Sequence, residues 1–493
     1  MRAIIVGVAL AAAIVLCLLH LAALRLPRSG GEATTTKTTT TRAVEGPAAA
    51  ADPVVLKEAP LGPEVHVVFS TDCGTYQHWQ SIAVWYAAKQ AGHRGAVTRI
   101  ASGCEERAKG PIEKEYAEID DTGFFRVHFA PKGELKGNYK YSNKPSGLYH
   151  WLSTATPAPF EDERTGVVAL IDPDQMLMRP LTAAVGVGLR QKAGDVRSMY
   201  DAKGVARVLV GSAREQKNLP MIVSQGYPVA QEYGLGGAWA KSGKPDARPS
   251  WRTFSRARVC GDAGKCTKTT PTEADQHYSV GPPYLIQATD ARHLSKAWLE
   301  AVPEVHAQYP HLLAEMYAYA MAAANLSLPH AQLHNLMVSN VGAGGEAWDW
   351  IDTMAPTDVC EGATLSEPPL NTRAQGRGSF SNDEHPPGPA VPSVLHFCQS
   401  YRAGGQKFGK HSVPHNVFSC DQGLFSFDPA AITDDIQRSA PVTSKPASKA
   451  KIRNAFFLCN VIPRLNAALL DYKQTVCPKR GITTWNTNPA VKA

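Results

Sequence analysis

The apolar run Val167-Val168-Ala169-Leu170-Ile171, closed by Asp172-Pro173-Asp174, constrains this chain more than any other stretch. Five consecutive β-prone side chains with no polar alternation read as a strand buried on both faces, which is the pattern of a central strand in an α/β sheet. The acids that follow then emerge at the carboxyl edge of that sheet, where open α/β sheets bind ligands. Two hard oxygen donors one residue apart, with proline fixing the backbone between them, suit a divalent cation such as Mn²⁺ or Mg²⁺ bridging to phosphate. The competing local assignment is a plain turn, because Asp-Pro-Asp is also good turn chemistry.

Further apolar runs and helical periodicities extend the pattern. Val65-His66-Val67-Val68-Phe69 is stopped by Ser70-Thr71-Asp72, and Tyr76 to Gln90 then carries Trp79, Ile82, Ala83 and Tyr86 at helical spacing, with Thr75 as the expected N-cap. Val97-Thr98-Arg99-Ile100 reads as the next strand, and a helix is expected from Lys144 into the segment before Val167. Alternation of this kind implies a largely parallel sheet. Asp290 to Leu328 is expected to be helical with breaks at Pro303 and Pro310, while the Gly-, Pro- and Lys/Arg-rich stretch from Ala193 to Tyr278 is expected to form loops with short helices that carry ligand contacts.

The ends of the chain carry different signals. Ile4 to Leu24 is apolar apart from His20, long enough to cross a hydrocarbon core of roughly 30 Å, and lacks a clear small-x-small cleavage site, so an uncleaved signal anchor is favoured over a signal peptide. Arg2 on one side and Arg25 and Arg28 on the other leave its orientation open. The segment from Leu26 to Pro63, with its Thr-rich tract at 34–41, has too few large apolar residues to form a core and reads as a disordered stalk. The expected organisation is an anchor at 1–25, a stalk at 26–63, a catalytic domain at 64–428, a linker at 429–451, and a C-terminal helix and tail at 452–493. A formal net charge of +7 spread over 493 residues, without basic blocks in the globular part, gives no reason to invoke nucleic acid.

Of the 10 cysteines, Cys17 lies in the apolar segment, and the remainder form no CxxC pair, which excludes zinc ribbons and thioredoxin motifs. An odd number outside that segment implies at least one unpaired or intermolecular thiol, and Cys260 with Cys266 is a plausible local disulfide. Asn325-Leu326-Ser327 is the sole glycosylation sequon.

Several blocks in order carry a resemblance. The stretch from Val65 to Cys73, Tyr76-Gln77-His78-Trp79-Gln80, Val97 to Ile100, Asn143-Lys144-Pro145, Asp172-Pro173-Asp174, Glu315 to Tyr319 and Leu395-His396-Phe397-Cys398 resemble hydroxyproline O-arabinosyltransferases and the related peptidyl serine α-galactosyltransferases. The similarity runs from about Glu64 to Tyr472. It implies a GT-A-like, Rossmann-like nucleotide-sugar-binding domain with inserted loops behind an N-terminal transmembrane helix. It further implies a UDP-sugar donor, transfer of arabinofuranose or galactose to hydroxyproline or serine with retained configuration, and a type II Golgi or endoplasmic-reticulum protein with its catalytic domain lumenal. Asp172 stands where plant arabinosyltransferases tend to have Glu, so the transferred sugar stays open.

On this basis Asp172, Asp174 and His396 are the expected metal ligands, with Mn²⁺ or Mg²⁺ stabilising the departing diphosphate. Thr71 and Asp72, at the exit of the first strand, are candidates for uracil and ribose. Arg99, Asn143 and Lys144 are candidates for the donor phosphates, and Lys407 and Lys410 are candidates for a cationic loop closing over the diphosphate. Glu315, an acid among apolar helix neighbours, is the candidate for orienting the acceptor hydroxyl or stabilising an oxocarbenium-like centre. The alternative is a lumenal binding scaffold that keeps the fold without turnover.

Overall fold

The computed structural model describes residues 65–133, 139–185, 221–333, 336–343, 346–352, 354–361, 392–439 and 446–491. The expected anchor and stalk therefore lie outside the described residues. Among the described residues no helix is long and apolar enough to cross a membrane.

The seven strands of the main sheet are β1 (Val65–Thr71), β2 (Val97–Ser102), β3 (Phe125–Ala130), β4 (Val167–Ile171), β6 (Val229–Glu232), β7 (Val280–Gln287) and β8 (Ala331–Leu333). Their spatial order is β8-β6-β7-β4-β1-β2-β3, and β1 pairs parallel with β2 and β4 while β7 runs antiparallel between β4 and β6. The sheet is thus mixed, with a parallel half carrying the β-α alternation legible in the sequence. A second, three-stranded sheet joins β5 (Gln175–Leu177), β9 (Met337–Val338) and β10 (Val394–His396) in the order β9-β10-β5.

Period-2 alternation sorts the β4 side chains into two cores. Val167, Ala169 and Ile171 face a core that includes helix α1 (Thr75–Gln90) and the long C-terminal helix α7 (Pro446–Lys479), whereas Val168 and Leu170 face one formed by α3 (Asn143–Thr154), α4 (Ala288–Gln308) and α5 (Ala314–Leu326). Both faces are covered, so β4 is buried along its whole length, as its unbroken apolar text requires. Gly147 lets α3 approach the sheet closely, since a Cβ there would stand 2.7 Å from Ile100 Cγ2.

Several sequence expectations change. Gly74, not Thr75, is the N-cap of α1, and Pro303 lies within α4 rather than ending it; the break falls at Pro310. Within the expected 429–451 linker, Pro429–Ser439 forms helix α6, and α7 begins at Pro446. Both prolines stand at the first helical residue, where the missing N–H is not needed. The C-terminal helix is also part of the main core, with Phe456, Phe457 and Leu458 fully buried, and disulfides Cys360–Cys459 and Cys420–Cys477 tie it to preceding segments. The expected Cys260–Cys266 bridge is present, Cys73–Cys104 is a fourth, and Cys398 is the unpaired thiol among the described cysteines.

Helix α7 is further fastened to α2 (Glu106–Ile119) through Glu115, whose carboxylate accepts hydrogen bonds from Tyr472 Oη at 2.5 Å and Arg480 Nη2 at 3.2 Å and lies 2.6 Å from His78 Nε2. Burial alone would raise the Glu115 pKa, but His78, Tyr472 and Arg480 outweigh it and lower it to about 2. A depressed carboxylate contributes stability that is present above its unfolded value and lost as pH falls through the folded value. Glu115→Gln is therefore expected to lose about 2 kcal/mol in urea unfolding at pH 7, with the difference from wild type shrinking between pH 4.5 and about 2.

Candidate functional site

The strand β4 ends in a turn. Gln175 N donates to Asp172 O at 3.0 Å, closing a β-turn over Asp172-Pro173-Asp174-Gln175, and the Gln175 side-chain oxygen accepts from Asp172 N at 3.0 Å. The buried Gln175 amide also donates to Pro282 O at 3.2 Å, so the turn is anchored to β7. Turn closure and carboxylate presentation are complementary.

The chain then enters β5, which pairs antiparallel with β10 in a register that sets His396 opposite Gln175. Phe397 N donates to Asp174 O at 3.0 Å and fixes the approach. The result brings ligand atoms of Asp172, Asp174 and His396 within 4.8 Å of one another. His396 Nε2 lies 3.2 Å from Asp174 Oδ1, and Lys410 Nζ, on the turn that follows β12 (Gln406–Gly409), donates to Asp174 Oδ2 at 2.5 Å. The Asp174 carboxyl is 8% exposed. Burial would raise its pKa, but the charges and hydrogen bonds of His396 and Lys410 outweigh that and hold it well below the usual carboxylate range. Burial would likewise lower the His396 pKa, and Asp174 reverses the direction so that it is raised.

These residues fit a hard divalent cation. Two carboxylates and one imidazole converge with little exposure, and the pocket is one in which Asp174 already concentrates positive charge. His396 Nδ1 is buried without a hydrogen-bond partner, while Nε2 faces Asp174.

Glu315 forms a second acidic wall. It lies in the first turn of α5, where the helix dipole favours a negative charge, and its backbone N–H donates to Tyr139 Oη at 2.9 Å. Lys144, in the first turn of α3, places its ammonium 2.8 Å from Asp172 Oδ1 and 3.4 Å from Glu315 Oε1. The longer contact is an ion pair without hydrogen-bond geometry, so Glu315 Oε1 has no hydrogen-bond partner. Burial raises the Glu315 pKa more than Lys144 lowers it. For Lys144, burial would lower the pKa, but Asp172 and Glu315 outweigh it and raise it.

All of this opens on one cleft of about 1110 Å³ at the carboxyl ends of β1, β2 and β4. Thr71, Asp72, Asn143, Lys144, Asp172, Asp174, Glu315, His396 and Lys410 line it. Asp72 Oδ1 accepts from Gly74 N at 2.7 Å, and Asn143 Oδ1 accepts from Gly133 N at 2.9 Å, so both side chains also shape the rim backbone.

Two expected donor contacts are corrected. Arg99 does not reach the cleft: fully buried on β2, it donates to Thr71 Oγ1 at 2.7 Å, Asp72 O at 2.8 Å and Tyr116 Oη at 3.2 Å, so it positions Thr71 and Asp72 instead of binding phosphate. Lys407 is exposed on the β11–β12 hairpin (β11, Ser400–Ala403) and is not part of the cleft lining, because strand alternation turns it away from the side that Lys410 reaches. Of the described residues in the 193–278 stretch, Tyr233 lines the cleft.

Some lining residues carried no sequence signal as site residues. Tyr76 stacks on His411 with ring centroids 5.3 Å apart, and the Cys398 thiol, pushed up to about 12 by burial and by Asp174, is a neutral group beside the triad. Tyr76 and Cys398 both stand in blocks that carry the resemblance, and their contacts across the chain place them in the cleft.

No family model matches the chain. A stretch of 125 residues, 24% of this chain, is 30% identical to a peptidyl serine alpha-galactosyltransferase of Arabidopsis thaliana, and 118 residues, also 24%, are 32% identical to a protein of the same name from Chlamydomonas reinhardtii. In each case the matched region spans 14% of the relative's length. The resemblance read in the sequence is thus supported at about 30% identity over a quarter of the chain. Among solved structures, the galactosyltransferase LgtC in complex with donor and acceptor sugar analogs aligns with 68% of this chain and 87% of its own at 10% identity and a TM-score of 0.29. The WbbM bifunctional glycosyltransferase aligns with 71% and 47%, at 9% identity and a TM-score of 0.31. The fold is defined by the strand order described above.

Proposed function

We propose that the chain is a metal-dependent glycosyltransferase with a GT-A-like fold that moves a sugar from a UDP-sugar to a serine or hydroxyproline hydroxyl of a protein. The observation that carries it is the convergence of Asp172, Asp174 and His396 at the carboxyl edge of the sheet, in the same cleft as the buried Glu315. The names of the partial relatives favour galactose and serine over arabinofuranose and hydroxyproline.

In this reading Asp172, Asp174 and His396 hold Mn²⁺ or Mg²⁺, which when bound supplies electrophilic stabilisation of the departing diphosphate. Lys410, freed from Asp174, has the reach and charge to neutralise a phosphate oxygen. The bond between the anomeric carbon and the diphosphate oxygen breaks, the acceptor oxygen bonds to that carbon, and the acceptor proton leaves to a diphosphate oxygen. Glu315, its charge sustained by Lys144, stabilises the positive character of the sugar. Attack from the face that the diphosphate leaves would retain configuration.

The four disulfides among the described residues suit an oxidising compartment and support a lumenal catalytic domain. With the apolar segment at 4–24 they favour a type II Golgi or endoplasmic-reticulum protein.

The test is turnover of UDP-galactose and of UDP-arabinofuranose by purified protein with Mn²⁺, on serine and hydroxyproline peptides. Transfer from UDP-galactose to serine is expected; no donor consumption with any pair would leave the scaffold alternative standing. Glu315→Gln is expected to lower kcat about 100-fold with little change in donor KM, and full turnover by that variant would remove Glu315 from the chemistry.

A further inference from the structure

The cleft has an asymmetric mouth. Of the four large apolar side chains exposed among the described residues, Tyr141 (45%) and Leu312 (56%) both line it. They stand at the Glu315 end, and one hydroxyl shows why: Tyr139 Oη donates to Leu312 O at 3.0 Å and accepts from Glu315 N at 2.9 Å, while the Tyr139 ring lies 5.3 Å from that of Tyr141. Tyr139 is itself held by stacking on His306, with centroids 4.2 Å apart. The exposed apolar pair is therefore a fixed rim coupled to the candidate acid. Isolated exposed apolar residues are ordinary, but two flanking a polar cleft at its reactive end mark a contact surface.

Among the described residues, two cations on this rim lack an acidic partner. Lys132 and Lys140 line the cleft, are exposed, and have no acidic partner among the described residues. Arg107, also lining it, is neutralised by Glu105 at 2.7 Å. Asp72, on the β1 loop, accepts from Gly74 N and keeps its negative charge on the donor side of the cleft expected from the sequence. Deeper in, Lys144 and Lys410 are matched by Asp172, Glu315 and Asp174. Among the described lining residues, Lys132 and Lys140 are thus cations without a carboxylate partner, on the same cleft as an exposed aromatic and an exposed aliphatic side chain.

We propose that the rim formed by Tyr141, Leu312, Lys132 and Lys140 is the docking surface for the acceptor polypeptide, and that it selects an extended segment with acidic side chains and an apolar residue flanking the hydroxyl to be modified. The apolar pair supplies affinity through desolvation, and the lysines supply register and on-rate, an effect that salt screens. The assignment rests on the transferase reading of the same cleft.

The test separates docking from turnover. Fluorescein-labelled serine peptides of equal length, with two Glu, no charge or two Lys flanking the serine, are titrated with the protein and followed by anisotropy in the absence of donor. The acidic peptide is expected to bind about tenfold more tightly than the basic one at low salt, with the margin shrinking at 0.5 M NaCl. The exposed double variant K132E/K140E is expected to reverse the order, and Tyr141→Ala is expected to weaken the binding of all three peptides severalfold. Equal or stronger binding of the basic peptide, or an order that K132E/K140E does not move, would overturn the proposal. So would a donor KM, rather than a peptide affinity, that responds to K132E/K140E. Donor consumption without peptide is measured in parallel: its absence counts against the transferase reading, whereas peptide selectivity judges the docking surface by itself.

Discussion

Asp174→Ala is expected to reduce kcat at least about 100-fold and to abolish saturable Mn²⁺ binding, measured by titration calorimetry on the folded protein. The size follows from where the carboxylate sits. It is the one group touched by both His396 and Lys410, so its loss removes a ligand and leaves an imidazole and an ammonium facing each other in a poorly solvated pocket. Asp174→Asn keeps the shape and isolates the charge; it is expected to retain the fold and still lose the cation. Because Asp174 titrates well below the ordinary range, its stabilising contribution is present above the usual carboxylate pKa and disappears as pH falls through the depressed folded value. Wild type and Asp174→Asn should therefore converge in stability only in strong acid. Turnover by Asp174→Ala within threefold of wild type would defeat the metal-centre assignment.

The second large effect concerns Lys144. Its ammonium separates two carboxylates, Asp172 and Glu315, and Lys144→Met is expected to destabilise the protein by about 3 kcal/mol and to depress turnover together with it. The pH dependence identifies the cause. Glu315 already has a raised folded pKa, and without Lys144 it rises further. A carboxyl whose folded pKa exceeds its unfolded one binds more protons when folded, so stability declines as pH rises through that interval. The deficit of Lys144→Met should be small near the ordinary glutamate pKa and widen toward pH 8, when followed by urea unfolding. Lys144→Arg, which keeps the charge, should recover much of the stability; a deficit independent of pH would mean that packing, not charge, is what Lys144 contributes.

Both sites trace back to text of very different legibility. The β4 run and its terminal acids are local, and they could be read because an uninterrupted apolar pentapeptide has one plausible place in an α/β sheet. His396 needed the resemblance, since nothing adjacent to it says that β10 will pair with β5 in the register that brings it to Asp174. Arg99 was misassigned for a physical reason: a charged residue in a strand covered on both faces must find internal partners, and Thr71, Tyr116 and the Asp72 carbonyl satisfy it. Lys407 and Lys410 look alike in a glycine-rich segment, and only the hairpin geometry separates an exposed lysine from one that reaches the acids. The segment read as a linker at 429–451 shows the limit of composition. Its prolines open helices instead of interrupting them, and the helix that follows completes the main core.

The pairing of β5 with β10 has a consequence for how the molecule comes into being. Asp174 and Lys410 are 236 residues apart in the chain, and at a synthesis rate of about 5–20 residues per second Asp174 would wait on the order of 10–50 seconds for the partner that neutralises it. A nascent chain with only its amino-terminal half would thus have Lys144 for Asp172 but leave Asp174 uncompensated at the edge of an unfinished sheet. The proposed cation site is complete only with the carboxyl-terminal half, so a truncated product inherits the acids without the imidazole. The cleft therefore depends on an intact chain from Ser70 through His411.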